Sequence, residues 1–384
     1  MLQGKLAPRI CFVVDLPVEA LGGGAEKQCY LIARGLAEKG WDVVYLTPRV
    51  ASRDLAPRVE EWFKIYRVDV PAESDNRMAR YLHGPSLFRN LGRIDPHIVL
   101  FTNPGSLGGL VTLCCLLYRK PVVYRAASLL DTDLTFGASG WYEFGFVARC
   151  LHRFAVRNAN VLVANATSVA NQFRKWIPHK NIRVIPNGVE IHRVAPRERR
   201  TRHASHVLWM NGMKKWKNPG EFVTLAKELP DVRFVMCGSG PLYKQVAQQA
   251  SRISNLRLTG GVGGQTKTDL FETAIAFVNT SFTEGFPNTL LESGVHSVPY
   301  ISFVDPDEVI CRHKLGFHVR SFSELVDGTS LLVRDKGLRS EMGFRIRRYV
   351  EKHHNIQNTV SEYDELLRSV LLTRRRNTSL HLNG

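Results

Sequence analysis

The fold of this chain is decided by the sequence Ile275-Ala-Phe-Val-Asn-Thr-Ser-Phe-Thr-Glu-Gly-Phe-Pro-Asn-Thr-Leu-Leu-Glu292. Its first six residues, Ile275 to Thr280, are short and rich in β-branched and aromatic side chains, which is typical of a buried strand. Pro287 and Asn288 then indicate a helix, with Asn288 as its N-cap and the following residues up to Ser297 continuing it. Because a helix N-terminus presents unpaired N–H groups and a positive dipole end, this pattern predicts an anion site.

Two carboxylates flank the predicted loop. Glu284 lies at its mouth, and Glu292 lies about one turn into the helix. Carboxylates accept hydrogen bonds from hydroxyl groups, so phosphates on the helix end with hydroxyls beside them indicate a nucleotide-sugar. The alternative is that Glu292 is an ordinary solvated helix residue, since two glutamates eight positions apart also occur by chance.

The segment from Glu284 to Glu292, followed by Gly294 and Val298-Pro299, resembles the E-x7-E motif of the family 4 (group 1) glycosyltransferases. Members of that family are retaining, nucleotide-sugar-dependent enzymes with the GT-B fold. The similarity extends in matching order over nearly the whole chain. Four further segments carry it: Gly23-Gly-Ala-Glu26, Val184-Ile-Pro-Asn-Gly-Val189, Leu208-Trp-Met-Asn-Gly-Met-Lys-Lys-Trp-Lys-Asn-Pro219 and Phe234-Val-Met-Cys-Gly-Ser-Gly-Pro241.

The resemblance implies roles for individual residues. Glu284 and Lys217 are the expected catalytic residues: Glu284 orients the sugar and its developing positive charge, and Lys217 neutralises the pyrophosphate as it leaves. Glu292 is expected to hold the ribose, and the loop Gly260-Gly-Val262 the base. The donor-binding residues implied in this way are Gly23, Gly24, Lys214, Val262, Gly285, Phe286, Pro287, Asn288, Thr289 and Glu292.

Two positions depart from the family pattern. Gly212 stands where the family has an arginine, and Lys214 or Lys215 is a candidate to supply the missing charge, although a lysine cannot reproduce a bidentate arginine contact. Ala127 or Ser128 stands where the family usually has a histidine near the donor sugar. The replacement for that histidine remains open among Arg125, Ser128, Asp131 and Asp133.

The glycine run and the D-x-D pattern each suggest a different activity. Gly22-Gly-Gly24 lies between a predicted strand and a helix, as in a dinucleotide-binding loop. However, Lys27 occupies the third glycine position of G-x-G-x-x-G. The second predicted strand is followed by Pro48 and Arg49, so no acidic residue is present there to bind a ribose. A nicotinamide cofactor is therefore not expected, and the glycines either approach a ligand or form only a sharp turn. Asp131-Thr-Asp133 matches D-x-D, a metal motif, but so short a pattern is expected by chance, and no metal or other cofactor is predicted. The histidines lack metal-ligand spacing, and His353-His354 is predicted to be solvated.

Strand-like runs alternate with helical patterns, which predicts parallel sheets covered on both faces. We therefore expect an α/β protein with doubly wound parallel sheets, and the resemblance implies the GT-B type, in which two Rossmann-like domains face each other across a cleft. The predicted strands are Arg9–Asp15, Asp42–Thr47, Lys64–Val68, His97–Thr102, Pro121–Arg125, Val161–Asn165, Ile182–Ile185, Val207–Met210, Val232–Cys237, Leu256–Thr259, Ile275–Thr280, Pro299–Phe303 and Gly316–Val319. The predicted divisions are an acceptor-side domain at 1–190, a linker at 191–206, a nucleotide-sugar-binding domain at 207–352, a helix at 353–373 and a basic tail at 374–384. The resemblance implies the roles of the two domains and a last helix that crosses back to the first domain.

Composition narrows the class of protein. A 44% hydrophobic and 23% charged content is typical of a soluble globular chain, and 384 residues suffice for two cores. No signal peptide is recognised, and the longest apolar run, Leu107 to Tyr118, is too short to span a bilayer and is predicted to be a core helix. Seven cysteines without a C-x-x-C pair indicate reduced thiols and a cytoplasmic protein, with peripheral association at the inner face of the membrane as a further expectation.

The net charge of +17 is concentrated in residues 1–200, which hold 28 Lys and Arg against 17 Asp and Glu. Such a surplus suits nucleic acid, an anionic membrane surface, an acidic saccharide or a merely solvated surface. No nucleic-acid-binding motif accompanies it, so nucleic acid is not an expected partner.

The resemblance to the family 4 glycosyltransferases implies a retaining hexosyltransferase. Its partners would be a nucleotide-diphosphate sugar donor, a saccharide or lipid-linked saccharide acceptor, and an anionic membrane surface. The expected setting is polysaccharide, lipopolysaccharide or glycolipid synthesis. Two alternatives remain open: a nucleotide-sugar 2-epimerase of the same fold, and a non-catalytic polyanion-binding protein.

Overall fold

The computed structural model describes residues 7–14, 23–48, 64–68, 83–102, 104–134, 145–191 and 205–382. Within these ranges the strands are β1 Arg9–Val13, β2 Asp42–Pro48, β3 Lys64–Val68, β4 Ile98–Thr102, β5 Val122–Ala126, β6 Val161–Ala164, β7 Ile182–Val184, β8 His206–Met210, β9 Phe234–Cys237, β10 Leu256–Gly260, β11 Ala274–Asn279, β12 Tyr300–Ser302 and β13 Gly316–His318. Each lies within two residues of a predicted strand, so the alternation of patterns is confirmed.

The helices of the described ranges follow the same order along the chain. They are α1 Gly24–Glu38, α2 His83–Ile94, α3 Ser106–Leu117, α4 Phe146–Asn158, α5 Thr167–Trp176, α6 Pro219–Glu228, α7 Tyr243–Ala250, α8 Gly264–Glu272, α9 Asn288–Val295, α10 Val309–His313, α11 Phe322–Arg334, α12 Lys336–His353 and α13 Ile356–Leu382.

The contacts divide the chain into two compact units, each an α/β sheet of Rossmann type. The first unit ends at Asn187 and includes α13, and the second runs from Gly188 to Asn355. In the first unit the parallel strand order is β3-β2-β1-β4-β5-β6-β7. Strands β4 and β5 are buried along their whole length, as expected for a parallel sheet covered on both faces.

The last helix packs against the first unit. Tyr363, Leu366 and Leu367 of α13 are buried in the same hydrophobic core as β1, β2 and α1. A Cβ at Gly35 in α1 would lie 2.5 Å from Val360, so glycine lets the two helices approach closely. The helix extends to Leu382, through most of the segment predicted as a basic tail. The predicted linker falls largely on residues 192–204, which lie outside the described ranges.

The second unit has the parallel order β10-β9-β8-β11-β12-β13. Strand β11 is central and fully buried, as predicted. The turn after β9 runs against the backbone of the segment that follows β8: Gly238 has φ +143, and a Cβ there would lie 1.9 Å from the carbonyl oxygen of Asn211. A side chain would not fit, so glycine is required at this position.

Helix α3 differs from the core helix that its composition predicts. Its inner residues Val111 and Cys115 are buried, but Leu113, Leu116 and Leu117 are 42%, 47% and 64% exposed. The run is apolar on all sides, whereas only one side faces the sheet, so composition did not reveal the exposed face. No helix within the described ranges has the length and apolar character needed to cross a bilayer.

Candidate functional site

The loop after β11 joins a buried strand end to the N-terminus of α9. Pro287 is the N-cap of this helix and Asn288 its first residue, so the prediction of Asn288 as N-cap was one residue late. No side chain caps the helix. Its first N–H groups therefore lie at the loop, where an anion can accept from them.

Lys217 is held beside this loop by two hydrogen bonds. It ends a 3₁₀ turn, Lys215–Lys217, that follows β8. The N–H of Phe282 donates to the carbonyl of Trp216 at 2.9 Å, and the hydroxyl of Thr280 donates to the carbonyl of Lys217 at 2.8 Å. These contacts join the turn to the end of β11.

The ammonium of Lys217 donates a hydrogen bond to the carboxylate of Glu284. The side chains are only 18% and 10% exposed, respectively. The two residues assigned to catalysis thus form one partly buried ion pair in the second unit. A carboxylate in this setting is retained because it has a cationic partner.

Glu292 forms a second pair of the same kind. Its carboxylate accepts from the ammonium of Lys267 on α8 at 2.7 Å, and Glu292 is only 8% exposed. It is therefore not a solvated helix residue. Sequence reasoning missed Lys267, because its partner is 25 residues away and no motif links them.

Lys214 lies beside the glycine that replaces the family arginine. Its Cε would be 3.8 Å from a Cβ at Gly212, and its ammonium lies 5.2 Å from the centroid of the Trp216 ring. The aliphatic part of Lys214 therefore borders the space in which an arginine side chain would begin. Lys214 is favoured over Lys215 as the residue that compensates for the missing arginine.

The remaining donor-side residues of the second unit lie in the turn at the end of β10, in the loop after β11 and at the start of α9. Gly260 has φ +74 and its carbonyl accepts from the N–H of Gly238 at 2.7 Å, which shapes the turn before Val262. Gly285, Phe286 and Pro287 are buried, whereas Asn288 and Thr289 are half-buried. The hydroxyl of Thr289 lies 3.0 Å from that of Tyr300.

His354 contacts the loop as well, contrary to the prediction that it is solvated. It is 2% exposed, and its ring lies 4.5 Å from that of Phe286. The charged neighbours of His353-His354 suggested a solvated pair, but the chain turns at His354 between α12 and α13 and buries this ring.

Gly23 and Gly24 belong to the first unit. Gly23 precedes α1 and Gly24 begins it, while Gly22 lies outside the described residues. A Cβ at Gly23 would lie 1.8 Å from a carboxylate oxygen of Glu26, whose side chain folds back over the helix start. The absence of a side chain at Gly23 thus leaves room for Glu26, which is 9% exposed.

Most of the residues considered in place of the family histidine are held by internal contacts. Asp131 accepts from the N–H groups of Ala127 and Ser128 at 2.6 and 3.1 Å, and the Ser128 hydroxyl accepts from the N–H of Leu130. This reciprocal arrangement is a capping box at the start of a 3₁₀ helix. Arg125 is 2% exposed and donates to Asn187 at 2.6 Å.

Burial shifts two pKa values around this capping box. It raises the pKa of Asp131 to about 6, against the opposing effect of the two N–H donors. It lowers the pKa of His152, whose Nε2 lies 2.8 Å from the carbonyl oxygen of Asp131, to about 4. Asp131 is therefore built into the fold, which disfavours D-x-D metal binding through it, while Asp133 is half-buried.

Comparisons with known proteins identify the family of this chain. Residues 22–193 match the description Glycosyltransferase Family 4, and residues 206–335 match Glycosyl transferases group 1. The chain belongs to the group 1 glycosyltransferases.

Among curated proteins, the chain is 26% identical over 175 residues to an alpha-galactosylglucosyldiacylglycerol synthase from Streptococcus pneumoniae. The match covers 40% of this chain and 46% of that protein, so the chain spans under half the length of this relative.

Solved structures show the fold. Sucrose-phosphate synthase from Thermosynechococcus elongatus superposes with a TM-score of 0.80 at 14% identity, covering 95% of this chain and all of that one. HepE from Anabaena, solved with UDP and glucose, superposes with a TM-score of 0.69 at 15% identity. The match covers 94% of this chain and 99% of HepE. The architecture is accordingly that of the GT-B glycosyltransferases.

Proposed function

We propose that this protein transfers a hexosyl group from a nucleotide-diphosphate sugar to a saccharide or lipid-linked saccharide, with retention of anomeric configuration. The observation that carries the proposal is the pairing of Glu284 with Lys217 and of Glu292 with Lys267, beside the N-terminus of α9. Both pairs and the helix end belong to the second unit. A nucleotide-sugar offers the phosphates and hydroxyls that such groups recognise.

The donor would be held by complementary charges. The oxygens of its pyrophosphate would accept hydrogen bonds from the N–H groups at the start of α9 and from the ammonium groups of Lys217 and Lys214. Glu292 would accept from the ribose hydroxyls, and the turn at Gly260–Val262 would contact the base. HepE, which has the same fold, was solved with UDP and glucose.

Catalysis would then follow from charge development at the anomeric carbon. As the bond to phosphate breaks, the sugar becomes positive and the nucleotide becomes more negative. Glu284 would stabilise and orient the sugar, while Lys217 would stabilise the leaving phosphate. The departing phosphate oxygen would help to remove the acceptor proton on the same face, which preserves the configuration.

A binding screen and a product assay test this function. A nucleotide-sugar that binds the folded protein should raise its melting temperature by mass action. With the donor so identified, a transferase forms product only when an acceptor is present, and NMR of the product reports the anomeric configuration. Conversion of the donor sugar without an acceptor would favour the 2-epimerase, and polyanion binding unaffected by Glu284→Gln or Glu292→Gln would favour a non-catalytic binder.

The acceptor side of the proposal includes docking on an anionic membrane at its inner face. We define the α2–α3 surface as exposed Phe88, Leu113, Leu116 and Leu117, together with exposed Arg89, Arg93 and Arg119. Phe88 of α2 stacks on Tyr118 at 4.4 Å, which joins the two helices. Asp95 is the one acidic residue of the sequence from 76 to 130, and it pairs with Lys120 at 2.6 Å, so positive charge predominates around the apolar side chains.

An anionic bilayer complements this surface because it offers both an apolar interior and negative headgroups. Each Lys or Arg near such a membrane contributes about 1 kcal/mol, and salt screens that contribution. The named activity of the pneumococcal relative is synthesis of a glycolipid. A lipid-linked acceptor would be presented at the same membrane.

Liposome sedimentation tests the docking surface. Binding should rise with the fraction of anionic lipid, fall at high ionic strength, and weaken in Leu117→Ser. Leu372→Ser on α13 is the matched control, because Leu372 is 60% exposed and Leu117 64%. Equal partitioning to neutral and anionic vesicles, or equal loss in both variants, would contradict this assignment.

A further inference from the structure

A cluster of three potential metal ligands lies in the second unit, outside the donor loop. Asp305 follows β12, Cys311 lies in α10, and His318 ends β13. One ligand atom from each, a carboxylate oxygen, the thiol sulfur and a ring nitrogen, all lie within 4.8 Å of one another. No motif in the sequence announces this cluster, because its members come from three separate elements.

Backbone contacts hold the carboxylate and the imidazole in place. The two oxygens of Asp305 accept from the N–H groups of Ile310 and Cys311 at 2.7 and 3.0 Å. Each carboxylate oxygen has two lone pairs, so these bonds leave acceptor capacity for a cation. His318 is fixed by the pairing of β13 with β12, in register with Ser302.

Helix capping explains the position of Asp305 but not that of His318. No hydrogen bond to the His318 ring is found in the part of the chain that the structure describes. A half-buried imidazole thus lies beside a carboxylate and an exposed thiol without a bond of its own. A metal ion would supply a partner for the imidazole and would use the remaining lone pairs of Asp305, which is already hydrogen-bonded to the Cys311 thiol.

The donor set selects the class of metal. Thiolate, imidazole and carboxylate together are ligands of Zn²⁺, whereas Ca²⁺ and Mg²⁺ are bound by oxygen ligands alone. In a tetrahedral zinc site the ligand atoms lie about 3.5 Å apart. The three atoms here lie within 4.8 Å of one another, so each pair needs a contraction of at most about 1.3 Å to reach that separation. Of the charged groups that act on Cys311, Glu308 favours a cation and Arg320 opposes it. Glu308 also accepts from the guanidinium of Arg312 at 2.9 Å.

We propose that Asp305, Cys311 and His318 form a three-ligand Zn²⁺ site with water in the fourth position. The ion would join the loop after β12, the short helix α10 and the edge strand β13. This site shares no residue with the proposed donor site or with the D-x-D segment. Its existence does not depend on the proposed transferase activity.

A competition titration tests the site directly. Tag-free protein is stripped with a chelator under reducing conditions, then titrated with Zn²⁺ against a fluorescent zinc indicator. The wild type should bind one equivalent. Cys311→Ser and His318→Ala should each weaken binding at least tenfold, since even outer-shell changes alter metal affinity about 10- to 100-fold. Cys150→Ser is the matched control, because Cys150 is a partly exposed thiol in the first unit and should leave affinity unchanged.

Two further measurements complete the test. Co²⁺ in place of Zn²⁺ should give a thiolate charge-transfer absorption in the wild type and in Cys150→Ser, but not in Cys311→Ser. Zn²⁺ should raise the melting temperature of the wild type and not that of Cys311→Ser, while the metal-free proteins melt alike. Absence of a one-equivalent site in the wild type, or equal affinity in Cys311→Ser and Cys150→Ser, would overturn the proposal.

Discussion

Asp131 in the first unit and the pair Glu284 and Glu292 in the second are all buried carboxylates. They differ in what holds them. Asp131 accepts from two backbone N–H groups of its own turn, whereas Glu284 and Glu292 are each held by the ammonium of a lysine from another element. A backbone donor cannot leave without unfolding the turn, but a lysine has a flexible stem and can exchange its partner for a ligand.

This difference separates a structural carboxylate from one available to substrate. Burial alone does not identify a functional carboxylate, since Asp131 is the most buried of the three at 1% exposure. The kind of hydrogen-bond partner distinguishes the two roles that we propose: backbone N–H donors indicate a structural carboxylate, and a lysine partner indicates one that can bind a ligand. Replacing Asp131 should alter stability, and replacing members of the lysine pairs should alter binding and turnover.

The largest effect is expected for Lys217→Met. Loss of the ammonium removes stabilisation of the leaving phosphate, and removal of one such preorganised group typically lowers kcat by about 10² to 10³. Steady-state kinetics with saturating donor measures it. Lys215→Met, an exposed neighbour in the same turn, is the matched control. Equal losses in the two variants would place the effect in the turn and not in the ammonium.

The next effect concerns the pH dependence of stability. The pKa of Asp131 is raised by burial to about 6 from a usual value of 3.8, so the folded protein binds this proton more tightly than the unfolded chain. Between about pH 4 and 6 the folded state holds more protons, and the contribution of Asp131 to the free energy of unfolding falls as pH rises. A pKa difference of about two between the folded and unfolded states corresponds to a change of about 3 kcal/mol in the free energy of unfolding.

His152 acts in the opposite direction in the same unit. Its pKa is lowered by burial to about 4 from 6.5, so its contribution to stability rises with pH between these values. The two effects oppose each other in the wild type, and Asp131→Asn removes one of them. Relative to the wild type, Asp131→Asn should gain free energy of unfolding, measured in urea, as the pH rises from about 4 to 6. If the difference in free energy of unfolding between the two proteins stays constant over this pH range, the pKa of Asp131 is not raised in the folded state.

Local patterns predicted most of the fold and only part of the site. The strands follow from short apolar runs between turn residues, a signal contained within each segment. The ion pairs are long-range: Lys217 and Glu284 are 67 residues apart, and no local pattern fixes their contact. The resemblance supplied both residues of that pair, but it gave no indication of Lys267, His354 or the cluster around Cys311.

The misplaced expectations have physical causes as well. Asn288 is a favoured N-cap residue, but Pro287 precedes it and takes that position with extended backbone. The apolar run of α3 predicted burial, yet a helix of uniformly apolar composition does not indicate which side faces the sheet.

No effect on turnover is expected from removing divalent metal. In the proposed donor complex, Lys217, Lys214 and the N-terminus of α9 would supply the positive charge that a metal otherwise brings to the pyrophosphate. Chelator treatment should therefore remove Zn²⁺ from Asp305, Cys311 and His318 and leave the transfer rate unchanged. Loss of turnover that manganese restores would return Asp131 and Asp133 to consideration as metal ligands.

The comparison between the two kinds of carboxylate is tested most directly by calorimetric titration. The nucleoside diphosphate of the donor found in the binding screen is titrated into the wild type, Glu292→Ala and Asp131→Asn. Loss of a charged hydrogen bond to the ribose costs about 1.5–3 kcal/mol, so Glu292→Ala should bind roughly ten- to a hundredfold more weakly, and Asp131→Asn should match the wild type. Unchanged affinity in Glu292→Ala, or an equal loss in Asp131→Asn, would contradict the account.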